Sequence, residues 1–271
     1  MRDRYLDLLK KCLTRSVFDE AFVPLQPTAG TARRILSGAV QGALARFGLE
    51  LVERVAAAGE GRDTGGAWPV SAETMIGRAR LDHLEVCIAS VLADRIPGDL
   101  LEAGVWRGGA TIFMRGALEA YGDPSRNVWV ADSFAGLPRP NAVRYPADAK
   151  DRLHAHPYLA VPLEEVKKNF ARYGLLDERV RFLPGFFRDS LPNAPVERLA
   201  VLRIDADMYE STFVALEHLY PRLSAGGFVV VDDYGILPAC RAAVEDYRSR
   251  EDVREPVEAI DASAVFWRRA R

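Results

Sequence analysis

From residue 71 onward, short apolar runs alternate with longer segments in which apolar residues recur at helical spacing. The short runs predict strands at 99–103, 128–131, 180–183, 199–204 and 226–231, and closing strands at 257–260 and 264–267. The longer segments predict helices at 84–92, 110–121, 163–173, 211–223 and 238–248. Because this alternation is typical of βαβ units, the sequence predicts an α/β protein with a mostly parallel sheet flanked by helices.

The first 70 residues follow a different pattern. Apolar side chains recur at helical spacing near the start, at Tyr5, Leu8, Leu9, Cys12 and Leu13. A second amphipathic stretch covers 35–55, and residues 22–27 are expected to be irregular because they contain two prolines. Residues 59–70 are rich in glycine. We therefore predict an N-terminal helical cap and connector over 1–70 and the main domain over 71–271.

Residues 138–160 interrupt the regular alternation of the main domain. They contain four prolines, His154 and His156, and show no clear period. A structureless loop of this length is uncommon in a compact domain and often covers a binding site. We predict a lid here, in which either histidine is a candidate for a catalytic or substrate contact; the alternative is a disordered excursion.

Composition narrows the classes of function. The 271 residues include 36 Lys or Arg and 38 Asp or Glu, giving a formal net charge of −2, which disfavours binding to a nucleic-acid duplex. The three cysteines are far apart, which fits a reducing cytoplasm. There is neither a signal-peptide pattern nor an apolar run of membrane-spanning length. We expect a cytoplasmic globular protein without nucleic-acid or membrane partners.

A glycine-rich turn follows the first strand of the main domain. Residues 101–109 read Leu-Glu-Ala-Gly-Val-Trp-Arg-Gly-Gly, and glycines at such positions let the backbone turn tightly beside a ligand. The spacing is not the G-x-G-x-x-G of dinucleotide-binding proteins. Asp132, at the end of the next strand, is placed to accept hydrogen bonds from a ribose, or alternatively only to cap the turn.

Acidic pairs end two successive strands. Asp205 and Asp207 follow the strand at 199–204, and Asp232 and Asp233 follow the strand at 226–231. If these strands are neighbours, Asp205, Asp232 and Asp233 converge, and clustered carboxylates are typical ligands of Mg²⁺ or Ca²⁺. The alternatives are that the acids are solvated in loops or that one of them pairs with Arg203.

Taken together, the motifs resemble those of the macrocin O-methyltransferase family, enzymes that methylate sugar hydroxyls of macrolides and related glycosylated natural products. The resemblance runs from near residue 5 to the C-terminus and is weakest over 17–70. The matching stretches are 5–12, 73–84, 101–109, 131–138, 180–192, 205–212 and 231–241. Two positions depart from the family pattern: Ala206 stands where Gly is frequent, and Phe186 where Trp is frequent.

The resemblance implies a Rossmann-like class I methyltransferase fold that uses S-adenosylmethionine and a divalent metal, usually Mg²⁺. The implied cofactor-binding residues are Thr74, Met75, Ile76, Glu102, Gly104, Asp132, Ser133, Gly185, Phe186, Phe187 and Asp205. The implied metal ligands are Asp205, Asp232 and Asp233. Asp205 matches the position proposed as general base, with Asp207 as the second candidate.

The expected function is O-methylation of a sugar hydroxyl on an antibiotic-like glycoside by an enzyme that could form a homo-oligomer. A metal-dependent catechol-type O-methyltransferase is the nearest alternative, since it would use the same cofactor and metal on an aromatic diol. An NAD-dependent oxidoreductase is disfavoured because the G-x-G-x-x-G spacing is missing. A non-catalytic binding protein is disfavoured because all of the acids are present.

Overall fold

A seven-stranded sheet forms the centre of the chain. The computed structural model describes residues 1–17, 20–24, 40, 42–44, 46–47, 49, 52–56 and 71–270. The strands are β1 Glu20–Pro24, β2 Val52–Ala56, β3 Asp99–Ala103, β4 Val128–Asp132, β5 Val180–Pro184, β6 Leu199–Ile204, β7 Leu223–Val231, β8 Glu258–Ala259 and β9 Val265–Arg268. The α-helices are α1 Arg2–Leu13, α2 Gly77–Ala93, α3 Gly109–Ala120, α4 Leu163–Arg172, α5 Phe187–Ser190, α6 Tyr209–Leu219 and α7 Pro238–Arg250.

The order of the strands confirms the predicted sheet. It runs β5-β4-β3-β6-β7-β9-β8. The first five strands in this order are each parallel to their neighbours among the five. The closing strand β9 pairs antiparallel with β7, and β8 pairs antiparallel with β9. The chain leaves β3 toward β4 on one side and later returns to β6 on the other. Ligands of such sheets bind where the strand order reverses, which places the expected site beyond the ends of β3 and β6.

Helices cover both faces of the sheet, because its central strands are apolar on both sides. All six residues of β6 are buried, as expected for a strand in the middle of a parallel sheet. One face packs against α1 to α4 through residues such as Leu84 and Phe113. The opposite face packs against α6 and α7 through Leu216, Tyr247 and Trp267. The described helices are too short or too polar to span a membrane.

The N-terminal helix α1 packs directly on the main domain. Its apolar side chains Leu6, Leu9 and Leu13 are buried in the same core cluster as α2 and α3. Close packing is visible at Gly116 of α3, where a Cβ atom would lie 2.5 Å from Leu9 Cδ2. The Lys10 ammonium is also buried and pairs with Asp82 and Glu85 of α2 at 2.5 Å each. The first turns of the chain are therefore part of the core.

Two expectations for the N-terminal region are wrong in part. The amphipathic helix predicted over 35–55 does not extend to its end, because Val52–Ala56 forms a strand. This strand pairs antiparallel with Glu20–Pro24, which overlaps the segment expected to be irregular at 22–27. Pairing between two distant segments satisfies their backbone groups and overrides local helical spacing. The connector at 59–70 lies outside the described residues, so the division at residue 70 stays a prediction.

The packing of α1 predicts a large difference between two leucines of the same helix. Leu13→Ala should lower the free energy of unfolding by about 2–5 kcal/mol, because the removed side chain is completely buried. Leu8→Ala, at a position that is 54% exposed, should change it by less than about 0.5 kcal/mol. Urea unfolding measures both. Equal effects of the two substitutions would show that α1 does not belong to the core.

Candidate active site

The turn after β3 brings the backbone of β3 against that of β6. Gly104 has φ +87°, and a Cβ atom there would lie 1.7 Å from the carbonyl oxygen of Asp205. Gly108 has φ +85° and is the residue before α3. Both positions therefore require glycine, the first for close approach of two strand ends and the second for a left-handed turn into the helix. The turn leaves an open space above the sheet edge.

Asp132 holds this turn in place. Its Oδ2 accepts a hydrogen bond from the Val105 amide at 2.8 Å, and its Oδ1 accepts one from the Phe134 amide at 2.7 Å. Burial raises the pKa of the carboxyl group, and the backbone donors partly offset that rise. The capping role considered for Asp132 is thus present. Because each carboxylate oxygen has a second lone pair, the side chain can still accept a hydrogen bond from a ligand.

A cavity of about 750 Å³, measured with its open mouth, lies above these strand ends. Eight of the predicted site residues line it, namely Met75, Gly104, Asp132, Ser133, Phe186, Phe187, Asp205 and Asp207. The residues come from segments far apart in the chain, so the fold brings the predicted cofactor segments and the predicted catalytic acids into one space.

Four other predicted cofactor residues do not line the cavity. Thr74 and Ile76 are buried, and a Cβ atom at Gly109 would lie 2.5 Å from Thr74 Cβ. Gly185 sits behind the wall, where its amide donates to the Asp132 carbonyl oxygen at 2.9 Å. Glu102 is buried under the turn and contacts Arg203. These four residues support the wall of the cavity in the present structure.

The predicted metal ligands do converge. One oxygen of each of Asp205, Asp232 and Asp233 lies within 4.8 Å of the others. The cause is the parallel pairing of β6 and β7, in which Ile204 is opposite Val231, so that the acids following each strand are adjacent. Oxygen atoms at this spacing suit a hard divalent cation. Asp233 Oδ2 is buried and has no hydrogen-bond partner among the described residues, as expected of an atom that awaits a ligand.

Two arginines, the buried Arg203 and the partly buried Arg80, contact the same acids. Arg203 is 1% exposed, and its Nη1 donates to Asp205 Oδ2 at 2.9 Å and also to Glu102 Oε1. Its Nη2 donates to Asp232 Oδ1. The other oxygen of Asp232 accepts from Arg80 Nη1 at 2.5 Å. Both oxygens of Asp232 are thus already hydrogen-bonded, whereas Asp233 contacts neither arginine through a hydrogen bond.

Burial and mutual repulsion perturb the acids in the same direction. Burial, together with the charges of Asp205 and Asp232, raises the pKa of Asp207 to about 8. Burial and the neighbouring carboxylates of Asp207 and Asp205 raise the pKa of Asp233 well above its usual range. Burial also raises the pKa of Asp232 to about 6, although Arg203 and Arg80 act against the rise. A cation bound here would relieve this repulsion.

The two candidate bases differ in their contacts. Asp205 belongs to the acidic cluster and accepts a hydrogen bond from Arg203. Asp207 lines the cavity at φ +58°, and its carboxylate makes no hydrogen bond within the described part of the chain. Of the two, Asp207 has the carboxylate that is available to a ligand in the cavity.

Several lining residues were not predicted individually. Trp106, Arg188 and Glu210 line the cavity, and Arg188 Nη1 lies 3.3 Å from Glu210 Oε1. Trp106 and Glu210 fall inside motif stretches 101–109 and 205–212, which was the available signal. The histidines of the 138–160 loop do not line the cavity, and the Nδ1 atom of His154 is buried with no hydrogen-bond partner in the described part of the chain.

The residues of the site fit both the implied cofactor and the implied metal ion. A cavity bordered by close-packed glycines and aromatic rings can hold a nucleoside-bearing cofactor, and the free Asp233 oxygen beside Asp205 can hold a divalent cation. No observation in the described residues conflicts with either group. Asp232 accepts hydrogen bonds from two arginines. We therefore expect Asp232 to contact a cation more weakly than Asp205 and Asp233 do.

Named O-methyltransferases are similar to almost the whole of this chain. The 4'-O-methyltransferase of 8-demethyl-8-(2,3-dimethoxy-alpha-L-rhamnosyl)-tetracenomycin-C from Streptomyces olivaceus is 51% identical over 275 residues, which cover 98% of this chain and 93% of that protein. The mycinamicin III 3''-O-methyltransferase from Micromonospora griseorubida is 46% identical over 269 residues, covering 98% and 96%.

Solved structures of methyltransferases have the same fold as this chain. The O-methyltransferase NovP superposes with a TM-score of 0.85 at 43% identity, over 100% of both chains. The calicheamicin methyltransferase CalS11 shares the fold, with a TM-score of 0.57 at 22% identity over 70% of this chain and 78% of that one. The chain therefore has the Rossmann-like fold of O-methyltransferases, and its similarity to named O-methyltransferases shows that it is an enzyme of this class.

The family follows from the sequence match. The family model described as macrocin-O-methyltransferase (TylF) matches residues 2–269. The chain belongs to this family, and the resemblance found in the motifs is confirmed. Membership excludes the NAD-dependent oxidoreductase that was considered as an alternative.

The arginine network predicts a strong effect of removing its central cation. Arg203→Met should lower the free energy of unfolding by about 3–5 kcal/mol, because Asp205 and Asp232 would lose a buried partner. The control is Arg250→Met. The Arg250 side chain is 43% exposed and pairs with Glu217 and Glu251, so this substitution should lower the free energy of unfolding by less than about 1 kcal/mol. Chemical denaturation compares the two. Similar small losses would contradict a supporting role for Arg203.

Proposed function

We propose that this enzyme transfers a methyl group from S-adenosylmethionine to a sugar hydroxyl of a glycosylated small molecule, with the help of Mg²⁺. One observation carries the proposal: the cavity lined by the predicted cofactor residues also contains Asp205 and Asp207, and Asp205 is part of the three-carboxylate cluster. Cofactor, cation and acceptor would then meet at one sheet edge. Such proximity is what a transfer between two bound molecules requires.

The cofactor would lie along the wall formed by the ends of β3, β4 and β5. Met75 and Gly104 would border its methionine end, Asp132 and Ser133 its ribose, and Phe186 and Phe187 its adenine. This assignment follows the family resemblance and is supported by the fact that all six residues line the same cavity. Phe186 offers a smaller ring than the Trp frequent in the family, which leaves space for differences in fit.

The side chains of the acidic cluster have separate tasks in this proposal. When bound, S-adenosylmethionine supplies an electrophilic methyl group and Mg²⁺ makes a nearby hydroxyl more acidic. Asp205 and Asp233 hold the cation, and Arg203 keeps Asp205 and Asp232 oriented. In its ionised form, Asp207 accepts the proton of the attacking hydroxyl, since its carboxylate lines the cavity without a hydrogen bond in the described residues. The proposed base is thus Asp207, the second candidate from the sequence, and not Asp205, the first.

The acceptor class rests on the relatives. Two similar proteins are named for methylating a rhamnosyl tetracenomycin and mycinamicin III, and the family is named for macrocin. We therefore propose a sugar hydroxyl of an antibiotic-like glycoside as the acceptor. An aromatic diol is the alternative outcome of the assay below. A cytoplasmic location and a homo-oligomer remain predictions.

The proposed reaction can be tested with purified enzyme and S-adenosylmethionine carrying a labelled methyl group. Label should move to a rhamnosylated or macrolide glycoside, stop after treatment with a chelator, and resume when Mg²⁺ is restored. The corresponding aglycone is the matched control and should receive no label. Full activity after thorough chelation would refute the metal role, and labelling of a catechol in preference to every glycoside would refute the acceptor class.

The role of Asp207 leads to a separate prediction. Asp207→Asn should lower kcat by about 10²–10⁴-fold, the usual contribution of a general base. Calorimetric binding of S-adenosylhomocysteine and Mn²⁺ should stay close to that of the unaltered enzyme, because Asp207 is assigned to neither site. Asp252→Asn, in a side chain 74% exposed and absent from the cavity lining, is the control. An undiminished kcat in the Asp207 variant would return the role of base to Asp205.

A further inference from the structure

Asp148, a residue of the 138–160 loop, binds the helix that follows the catalytic acids. The side chain lies in a buried position, 1% exposed. Its Oδ1 accepts a hydrogen bond from the Tyr209 amide at 2.7 Å, and its Oδ2 accepts one from the Glu210 amide at 2.9 Å. Tyr209 is the first residue of α6. A carboxylate 61 residues earlier in the chain therefore occupies the start of this helix.

This contact replaces a local cap. The first amides of a helix have no partner within it and are usually satisfied by the side chain of the preceding residue. Here that residue is Met208, whose thioether is only a weak acceptor and makes no capping hydrogen bond. The negative charge of Asp148 also suits the positive end of the helix dipole. The start of α6 thus depends on the loop being docked.

The segment just before α6 carries the candidate base. Asp207 adopts φ +58°, a conformation that non-glycine residues hold only when their surroundings enforce it. The Met208 amide donates to the Ala206 carbonyl at 2.6 Å, so the chain turns sharply between Asp205 and α6. Fixing the first two amides of α6 fixes the far end of this turn. Asp148 is therefore in a position to control where the Asp207 carboxylate points.

The same loop also covers the cavity. Leu159 lines it, and the Tyr158 carbonyl accepts a hydrogen bond from Trp106 Nε1 at 2.8 Å. Trp106 belongs to the glycine-rich turn of the cofactor wall. Near Asp148, the ring of Tyr145 lies 5.8 Å from that of Tyr209. The loop thus contacts the cofactor wall at one end and the catalytic turn at the other.

We propose that Asp148 is a positioning residue that couples closure of the 138–160 loop to the geometry of the catalytic turn at 205–208. With the loop docked, the start of α6 is capped and Asp207 faces the cavity; with the loop undocked, both are released together. The inference rests on the proposed function, because it assigns a consequence for methyl transfer to a contact made outside the reacting groups.

The direct test compares Asp148→Asn with Asp123→Asn. An asparagine at 148 keeps the shape but only one acceptor oxygen, so one amide of α6 loses its partner. Asp123 is a matched control: its Oδ1 accepts hydrogen bonds from the Ser125 and Arg126 amides at 2.8 and 2.9 Å, in a turn that does not line the cavity. Both variants should lose some thermal stability, since Asp148→Asn loses a hydrogen bond to a backbone amide and Asp123→Asn loses the ion pair between Oδ2 and Arg126 Nε, which are 3.1 Å apart.

Only the Asp148 variant should lose catalytic efficiency. We expect kcat/KM for the glycoside acceptor to fall by about 10- to 100-fold, the scale expected of a small misplacement of a reacting group. The Kd for S-adenosylhomocysteine should change by less than about threefold, because the cofactor wall is left intact. An Asp148→Asn enzyme with the kcat/KM of Asp123→Asn would overturn the proposal.

A second measurement needs neither a variant nor an acceptor. Hydrogen exchange in the unaltered enzyme should show the Tyr209 and Glu210 amides opening at the same rate as the 138–160 loop, as members of one cooperative unit. Amides that stay protected while the loop opens would overturn the coupling. If the exchange rates agree but no glycoside is methylated, the coupling stands and the proposed acceptor class fails, so the two failures are distinguishable.

Discussion

The arrangement of the site depends on one buried arginine. Arg203, inside the central strand β6, faces Glu102 across the β3–β6 pairing and donates hydrogen bonds to Asp205 and Asp232. A buried cation is costly unless carboxylates surround it, and carboxylates this close together repel unless a cation lies among them. The buried guanidinium and the carboxylates therefore offset the cost of burying one another. Asp207 and Asp233 lack such compensation and are available to ligands, as is the Asp205 oxygen that Arg203 does not contact.

The fold converts this local arrangement into a reaction site. Parallel pairing places the ends of β3, β6 and β7 side by side, and Gly104 allows the turn after β3 to touch the backbone of Asp205. The proposed cofactor wall and the acidic cluster are consequently built at the ends of paired strands. In the proposed coupling, the element that moves is the 138–160 loop, which Asp148 joins to α6. Strands that fix the positions of the site residues, and a loop that closes over the cavity, suit an enzyme that must align two bound molecules.

Much of this could be predicted from the sequence, because the governing interactions are local or periodic. The strands at 99–103 and 199–204 have the predicted bounds, and adjacent parallel strands made the convergence of Asp205, Asp232 and Asp233 foreseeable. The strand Val52–Ala56 was missed because its partner lies about thirty residues away. Pairing of Arg203 remained an open alternative, since it depends on which strand lies opposite. The Asp148 contact had no local signal at all.

The central claim is that the cluster at the ends of β6 and β7 holds a divalent cation beside the methyl-transfer cavity. Titration with Mn²⁺, followed by electron paramagnetic resonance in the absence of substrates, tests it most directly. The account predicts one bound ion per chain, lost in a variant that combines Asp205→Ala with Asp233→Ala, whereas Asp252→Ala retains it. Equal Mn²⁺ binding by the enzyme and the double variant, or no binding by either, would contradict the account.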